Sequence, residues 1–175
     1  MRVPFRSAAL VAAAVILSAA SLGYAQVNFA GTWVLDRSQS QLPPRHPGAT
    51  APDAGQLPPT PLKLTIEQSG DVVKATRTVA RENRERSLSE SYTVDGAEHT
   101  FTGRRNSTVV TRATWDGARL RINANRTMTG RSGGEIQVSR ESVWSLSPDG
   151  QTLTIETTFQ GPRGQGTFKS VYQRT

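Results

Sequence analysis

The chain has 175 residues, of which 35% are hydrophobic and 20% are charged, a composition typical of one soluble globular domain. The absence of cysteine excludes disulfides, thiolate metal sites and a cysteine nucleophile. With only two histidines, imidazole-based metal binding or triad catalysis has few groups to use. Lysine and arginine outnumber the acids by 21 to 14, which gives a formal net charge of +7.

The N-terminus has the three parts of a secretory signal peptide. Two arginines precede the apolar run 8–17, and Gly23 and Ala25 place small side chains just before a cleavage point. The alternative, an uncleaved membrane anchor, needs a longer apolar run of about 20 residues. We therefore expect 1–25 to be removed on export to the periplasm or beyond, leaving 26–175 as one domain without a transmembrane segment.

Ten runs of the mature chain alternate apolar and polar residues with the period of a β-strand. Asp95-Gly96 and Asp116-Gly117 are typical of the tight turns that join antiparallel strands. No window repeats apolar residues at helical spacing. The predicted strands are 28–36, 62–69, 72–80, 87–94, 97–103, 107–115, 118–127, 134–147, 151–160 and 166–174.

This succession predicts an all-β fold, an antiparallel up-and-down meander closed into a β-barrel of about ten strands. Closure removes the exposed edges that an open sheet would leave. A two-sheet sandwich is the competing architecture, but sandwiches use longer crossover connections than these turns provide.

One connection is long, and it follows the first strand. Residues 37–61 contain seven prolines, which favour an extended chain over helix. A structureless loop of this length is usually functional, for example as a lid. A passive surface insertion is the alternative, since long loops cost little free energy.

The two ends of the mature chain carry short motifs. The first strand opens with Phe29-Ala30-Gly31-Thr32-Trp33, and the last strand ends with Val171-Tyr172-Gln173-Arg174. Together with the strand count, they resemble the calycin superfamily of lipocalins, fatty-acid-binding proteins and avidins, and most of all its fatty-acid-binding branch. The chain also resembles exported bacterial lipocalin-like proteins.

The resemblance implies a barrel that binds a small molecule, with a lid where 37–61 lies. It also implies that a basic residue near the C-terminus packs across the tryptophan of the first strand. The sequence departs from the fatty-acid-binding branch at two points: 37–61 is too rich in proline for the branch's two helices, and Ser170 stands where the branch usually has an arginine for the ligand carboxylate.

Gly31, Trp33 and Arg174 are assigned to a structural motif at one end of the barrel. The ring of Trp33 plugs that end and stacks with the guanidinium of Arg174, while Gly31 leaves room for both. A ligand stacked on Trp33 is the alternative, although aromatic residues on strands mostly belong to the core.

Strand alternation predicts which side chains face the interior. Apolar residues dominate this inner set, and several polar residues share its phase. The apolar members are Trp33, Leu35, Leu64, Ile66, Val73, Ala75, Tyr92, Val94, Phe101, Val109, Trp115, Leu120, Ile122, Ile136, Val138, Trp144, Leu146, Leu153, Ile155, Phe159, Phe168 and Tyr172. The polar members are Glu90, His99, Thr111, Arg126, Arg140, Ser142, Thr157 and Ser170.

Arg126 and Arg140 are the most informative of the polar set, because a buried charge requires a partner. Either they pair with Glu90 and water, or they present guanidinium groups to an anionic ligand. A bulge that turns both outward is the alternative. The predicted ligand-binding residues are Arg126, Arg140, Glu90, His99, Tyr92 and Tyr172, with His99 also open to a purely structural role.

Three functions remain open. The first is a non-enzymatic exported carrier of a small apolar or anionic-amphipathic molecule, for example a lipid-like or carboxylated one, without cofactor or metal. The second is an envelope-interaction or structural module with a filled core, whose outer Arg112, Arg119 and Arg121 bind anionic surfaces. An enzyme is least supported, because no catalytic motif is present, and no aromatic residues interleave with the arginines to bind nucleic acid.

Overall fold

The computed structural model supports description of most of the predicted domain. The segment 1–26 and the greater part of the proline-rich loop, 42–62, lie outside the described residues, so the predictions of a signal peptide and of a lid stay predictions. The described ranges are 27–41, 63–81, 84–103, 106–130, 133–162 and 164–175.

All ten predicted strands are present, and no α-helix occurs in the described ranges. The strands are β1 (Gly31–Gln41), β2 (Lys63–Ser69), β3 (Val72–Arg81), β4 (Arg84–Thr93), β5 (Glu98–Thr102), β6 (Thr108–Asp116), β7 (Arg119–Thr129), β8 (Glu135–Leu146), β9 (Thr152–Gly161) and β10 (Gly164–Arg174). The largest difference from the prediction is at β1, which continues to Gln41 instead of ending at residue 36.

The strands form one sheet in the order β4-β3-β2-β1-β10-β9-β8-β7-β6-β5. Each strand pairs antiparallel with its sequence neighbours, except that β4 does not pair with β5, and β1 pairs with β10, which joins the two ends of the chain. The two edge strands, β4 and β5, are not bonded to each other in this order. The result is a nearly closed up-and-down barrel, which confirms the predicted fold class.

The interior follows the predicted alternation closely. Apolar side chains of one phase along each strand form the core, and Phe29, which the alternation did not include, joins them. The buried hydrophobic residues are Phe29, Trp33, Leu35, Leu64, Ile66, Val73, Ala75, Tyr92, Val94, Val109, Ala113, Leu120, Ile122, Ala124, Trp144, Leu153, Ile155, Val171 and Tyr172.

The barrel has two different ends. At the end that contains Trp33, here the closed end, Phe29 stacks on Trp115 at a centroid distance of 5.9 Å and meets Trp144 edge-on at 6.0 Å. The opposite or open end is the one at which β1, β3, β5, β7 and β9 end and β2, β4, β6, β8 and β10 begin.

Seven aromatic and aliphatic residues of the inner phase are less buried than predicted. Trp115 and Leu146 are partly buried against the core at the closed end. The other five belong to the open-end half of the barrel or to edge strand β5, where no further strand covers them. Phe101 is 42% exposed, and Ile136, Val138, Phe159 and Phe168 are partly exposed.

Candidate functional site

Three of the predicted ligand-binding residues meet inside the barrel. Arg140 donates from Nη2 to Glu90 Oε2 at 3.2 Å and to the Tyr92 hydroxyl oxygen at 3.2 Å. Tyr92 in turn donates its hydroxyl to Glu90 Oε2 at 2.6 Å. We call Glu90, Tyr92 and Arg140 the interior cluster.

The contact between Arg140 and Glu90 crosses the barrel. Glu90 lies on β4 and Arg140 on β8, and in the sheet these strands are separated by three strands on one side and five on the other. Glu90 lies two residues before the buried Tyr92, and Arg140 lies two residues before the buried Ser142. Residues two apart on a strand share a face, so both side chains point inward. Inward side chains as long as arginine and glutamate can therefore meet across the lumen.

The charges of the interior cluster stabilise one another. Burial raises the pKa of Glu90, but the positive charges of Arg140 and Arg77 and the hydrogen bond from Tyr92 together lower it below its ordinary value. Burial and the adjacent Glu90 carboxylate raise the pKa of Tyr92, which keeps its hydroxyl protonated as a donor. The pKa of Arg140 is also raised, because its negative partners outweigh its burial.

Arg77 is a second cation near the interior cluster, and the sequence analysis missed it. It lies on β3, where its register partner on β4 is Leu88. Ala75, two residues before it on the same face, is paired with Glu90. The signal was available, since Arg77 has the same phase as the buried Val73 and Ala75. Two guanidinium groups thus act on one carboxylate, which leaves one positive charge in excess.

Arg126 and His99 do not join the interior cluster. Arg126 has the predicted inward phase on β7, but it lies towards the open end beside Gly103, and no ion pair within the described ranges includes it. His99 was predicted to face the interior, whereas its Nε2 lies 2.9 Å from Asp95 Oδ2 with the side chain 43% exposed. The reason is that β5 is an edge strand, so its inward phase is not covered.

Tyr172 and the inward hydroxyl groups of Ser142 and Thr157 lie nearer the closed end of the barrel than Arg140 does. Tyr172 is 2% exposed on β10, and burial raises its pKa. Ser142 and Thr157 share a hydrogen bond at 3.2 Å, and both are buried as predicted. These groups form a polar layer between the apolar closed end and the open half.

The predicted motif at the closed end is assembled as expected. The Arg174 guanidinium carbon lies 4.2 Å from the centroid of the Trp33 ring. Arg174 also donates to the carbonyl oxygens of Ala30 and Gly150, each at 2.9 Å. Trp33 is fully buried and donates its indole N–H to the Phe29 carbonyl at 3.0 Å, so its ring is a core plug.

The interior cluster can be reached by solvent. The side chains of Arg140 and Glu90 retain 30% and 22% exposure although both point inward. Glu90 lies on edge strand β4, which has no bonded neighbour on one side. The partly exposed Ile136 and Val138 lie on the open-end side of Arg140, and the partly exposed Phe159 is its register partner on β9. Apolar side chains therefore border the charged groups on the inward face.

The outer arginines that the second hypothesis requires are matched by acids. Arg112 lies 3.7 Å from Glu98, and Arg119 lies 3.2 Å from Asp116. Arg121 is in ion-pair contact with Asp116 and Glu141. The predicted basic face is therefore a network of mixed sign.

Two other kinds of site were searched for in the part of the chain that the structure describes. It contains no group of three or more histidine or acidic side chains placed to hold a metal ion. None of its elements is a helix with the length and apolarity needed to span a bilayer.

The fold belongs to the class of antiparallel up-and-down β-barrels, and two solved proteins of this architecture are similar to the chain. A zebrafish ileal bile acid-binding protein, solved with cholic acid, matches with a TM-score of 0.53 and 16% identity over 84% of this chain and 98% of its own. A secretory abundant heat-soluble protein from Ramazzottius varieornatus matches with a TM-score of 0.51 and 15% identity, over 87% and 98%. At these identities the similarity shows the fold alone. No protein-family model and no curated protein matches the sequence.

Proposed function

We propose that this protein is an exported, non-enzymatic binding protein that holds a small apolar or anionic-amphipathic molecule inside its barrel. The observation that carries the proposal is the excess positive charge at the interior cluster, whose Arg140 and Glu90 side chains keep 30% and 22% exposure. Export rests on the signal-like segment 1–25.

The charge balance favours an anionic head group. Arg140 and Arg77 act on Glu90, and Tyr92 stays neutral because its pKa is raised. One cation is thus left without a full counter-charge in a poorly solvated place, which is costly unless water or an anion compensates it. A carboxylate that enters the lumen would accept hydrogen bonds from a guanidinium group, the geometry in which such contacts are strongest.

The apolar side chains beside the interior cluster favour an apolar body. Phe159 and Phe168 lie 6.3 Å apart between ring centroids, and both are partly exposed on the inward phase. Covering these surfaces with a ligand removes apolar area from water, worth roughly 25 cal/mol per Å². The bile acid-binding protein with the same fold was solved with cholic acid, a small molecule with one anionic end, and this likeness supports the same class of ligand.

Binding without chemistry fits the groups of the interior cluster. The lowered pKa of Glu90 and the raised pKa of Tyr92 both move away from neutrality, so neither group is suited to exchange protons there. His99, the histidine of the described domain, points to Asp95 instead. No cofactor, metal or nucleic acid is part of this proposal.

The test is binding of a fluorescent alkyl carboxylate, dansylamino-undecanoate, to the mature protein. Arg140→Met should weaken binding about tenfold or more, as expected for loss of one charge-assisted contact of ~1.4 kcal/mol. Arg121→Met is the matched control, because Arg121 is on the outer face with its own acidic partners. Circular dichroism checks that both variants keep the sheet.

The outcomes separate the competing functions. Binding that persists in high salt and depends on Arg140 supports an enclosed site, whereas binding that disappears with salt and depends on Arg121 supports the outer-surface module. No binding, or equal loss in both variants, contradicts the proposal. Native mass spectrometry of protein purified from its own host would show the mass of the natural ligand directly.

A further inference from the structure

At four positions near the open end, backbone conformation does not explain why the residue is glycine. Gly103, Gly130, Gly161 and Gly166 have ordinary φ angles, unlike the turn glycines such as Gly117 at φ 60°. A residue other than glycine would therefore fit their backbone without strain. The reason for glycine at these positions must therefore be the limited space for a side chain.

All four glycines face the interior. Gly103 continues the phase of Phe101 after β5, and Gly130 continues that of the buried Leu120 and Ile122 after β7. Gly161 and Gly166 share the phases of the inward residues of β9 and β10. The positions without a side chain thus lie around the inner rim of the open end.

Three of these positions are occupied by an apolar side chain from the neighbouring strand. A Cβ on Gly166 would lie 2.8 Å from Phe159 Cε1, and one on Gly130 would lie 2.8 Å from Ile136 Cδ1. A Cβ on Gly103 would lie 2.7 Å from Ser107 Oγ and 2.9 Å from Val109 Cγ2. These contacts are too short for real carbon atoms, so a methyl group there would push each apolar side chain off the wall.

The direction of that displacement matters for the lumen. Because Phe159 reaches sideways over Gly166 on the adjacent strand, its ring lies along the barrel wall instead of projecting across the opening. Ile136 lies over Gly130 in the same way. At the rim, these apolar side chains therefore pack along the barrel wall over the glycines, an arrangement called laid-back here. It widens the passage to the interior cluster.

We propose that Gly103, Gly130 and Gly166 are specificity-determining residues, which keep the open end wide enough that the barrel prefers a carboxylate carried on a rigid ring system to one on a single alkyl chain. This inference rests on the function proposed above, and it adds the shape of the ligand. A single chain gains nothing from the extra width, whereas a fused-ring body needs it and covers more of the laid-back wall.

The test compares two probes in the wild-type protein and in glycine variants. The ring probe is 1-pyrenebutyrate, and the chain probe is a straight-chain carboxylate matched to it in octanol–water partition. We expect 1-pyrenebutyrate to bind about tenfold more tightly, and Gly166→Ala and Gly130→Ala each to weaken it about tenfold while the chain probe changes by less than about twofold, as a misplaced methyl group does in an apolar pocket.

Two further variants control for general damage. Gly161→Ala makes the same change at the same rim, but its Cβ would meet Val138 at an ordinary 3.4 Å, so ring binding should stay within about twofold of wild type. Gly130→Ala combined with Ile136→Val removes the Cδ1 atom that the new methyl group would meet, and it should recover most of the ring binding. Melting temperatures are measured for every variant.

The outcomes are distinct for the two proposals. If the chain probe binds as tightly as the ring probe, or if the alanine variants weaken both equally, the width proposal is wrong while the binding function stands. If neither probe binds, both proposals fall. Loss of ring binding in Gly130→Ala that Ile136→Val does not restore also contradicts the role assigned to Gly130.

Discussion

At the scale of single residues, two separate constraints require glycine at position 31. Its φ of 144° is rarely adopted by other residues, and a Cβ there would lie 2.6 Å from Arg174 Nη1. The guanidinium cannot move away cheaply, because it is bonded to two carbonyls and stacked on Trp33. Such stacking contributes about 0.5–2 kcal/mol when desolvated.

We therefore expect Gly31→Ala to lower the free energy of unfolding by about 2 kcal/mol or more, from backbone strain and from the displaced arginine. Gly117→Ala is the control, since its φ is also positive but no atom lies within 4 Å of its Cβ position. Its loss should be nearer 1 kcal/mol. Urea unfolding measures both values, and equal losses would show that the contact with Arg174 has no energetic role.

The interior cluster makes stability depend on pH through Glu90. Because the folded pKa of Glu90 is lowered, its contribution is fully present above the ordinary glutamate pKa and is lost as the pH falls through the folded value. Glu90→Gln should remove this part of the acid sensitivity below about pH 4.5. Urea unfolding between neutral and acid pH gives the comparison, with Glu156→Gln on the outer face as the control. A parallel pH profile for wild type and Glu90→Gln would refute the assignment.

At the scale of elements, Asp-Gly dipeptides predicted one hairpin turn correctly and one wrongly. Asp116-Gly117 joins the paired strands β6 and β7, as its residues predict. Asp95-Gly96 was predicted to do the same, but it connects the two edge strands, which are not bonded to each other. Gly96 instead donates its N–H to Ala113 on β6, and the Asp95 carboxylate is occupied by His99.

The extension of β1 depends on one hydroxyl. The pairing of β1 with β10 shifts register between Asp36 and Gln41, and Ser40 Oγ accepts the Val171 N–H at 2.9 Å in place of a backbone carbonyl. Loss of this acceptor leaves a buried donor without its partner, which costs about 1–3 kcal/mol.

Ser40→Ala should therefore lower the unfolding free energy by about 1 kcal/mol or more and speed hydrogen exchange of the Val171 amide. Ser38→Ala is the matched control on the same strand, because the Ser38 hydroxyl bonds only to exposed Asp36. Equal effects of the two changes would mean that the bulge is held by other contacts.

At the scale of the whole molecule, the fold was largely predictable and the site only partly so. Period-two alternation placed nearly every core residue on the correct face, because the pleat alone decides which side a residue takes. It also placed Arg140, Glu90 and Tyr92 inside. It could not tell that Arg126 stays at the open end, since position along the barrel depends on the register of non-local pairs.

Export is also a property of the whole molecule. If 1–25 is a signal peptide, protein recovered outside the cytoplasm should begin at Gln26, because signal peptidase cuts after a small residue such as Ala25. N-terminal sequencing and intact mass measure this, and Ala25→Arg should block the cleavage and leave the precursor. Recovery of uncleaved wild-type chain in the cytoplasm alone would contradict the proposal.

The sequence by itself determined the ten strands, the class of the fold and the inward phase of most side chains, because these depend on neighbours along the chain. Only the tertiary structure decided which inward groups meet. Arg140 and Glu90 are 50 residues apart and on strands that are not adjacent, and their contact exists because β1 and β10 join the two halves of one sheet, which curls into a nearly closed barrel. The same closure assigns Arg77 to the interior cluster and leaves His99 at an edge. Contacts across a lumen depend on curvature and register together, and neither is a local property of the chain.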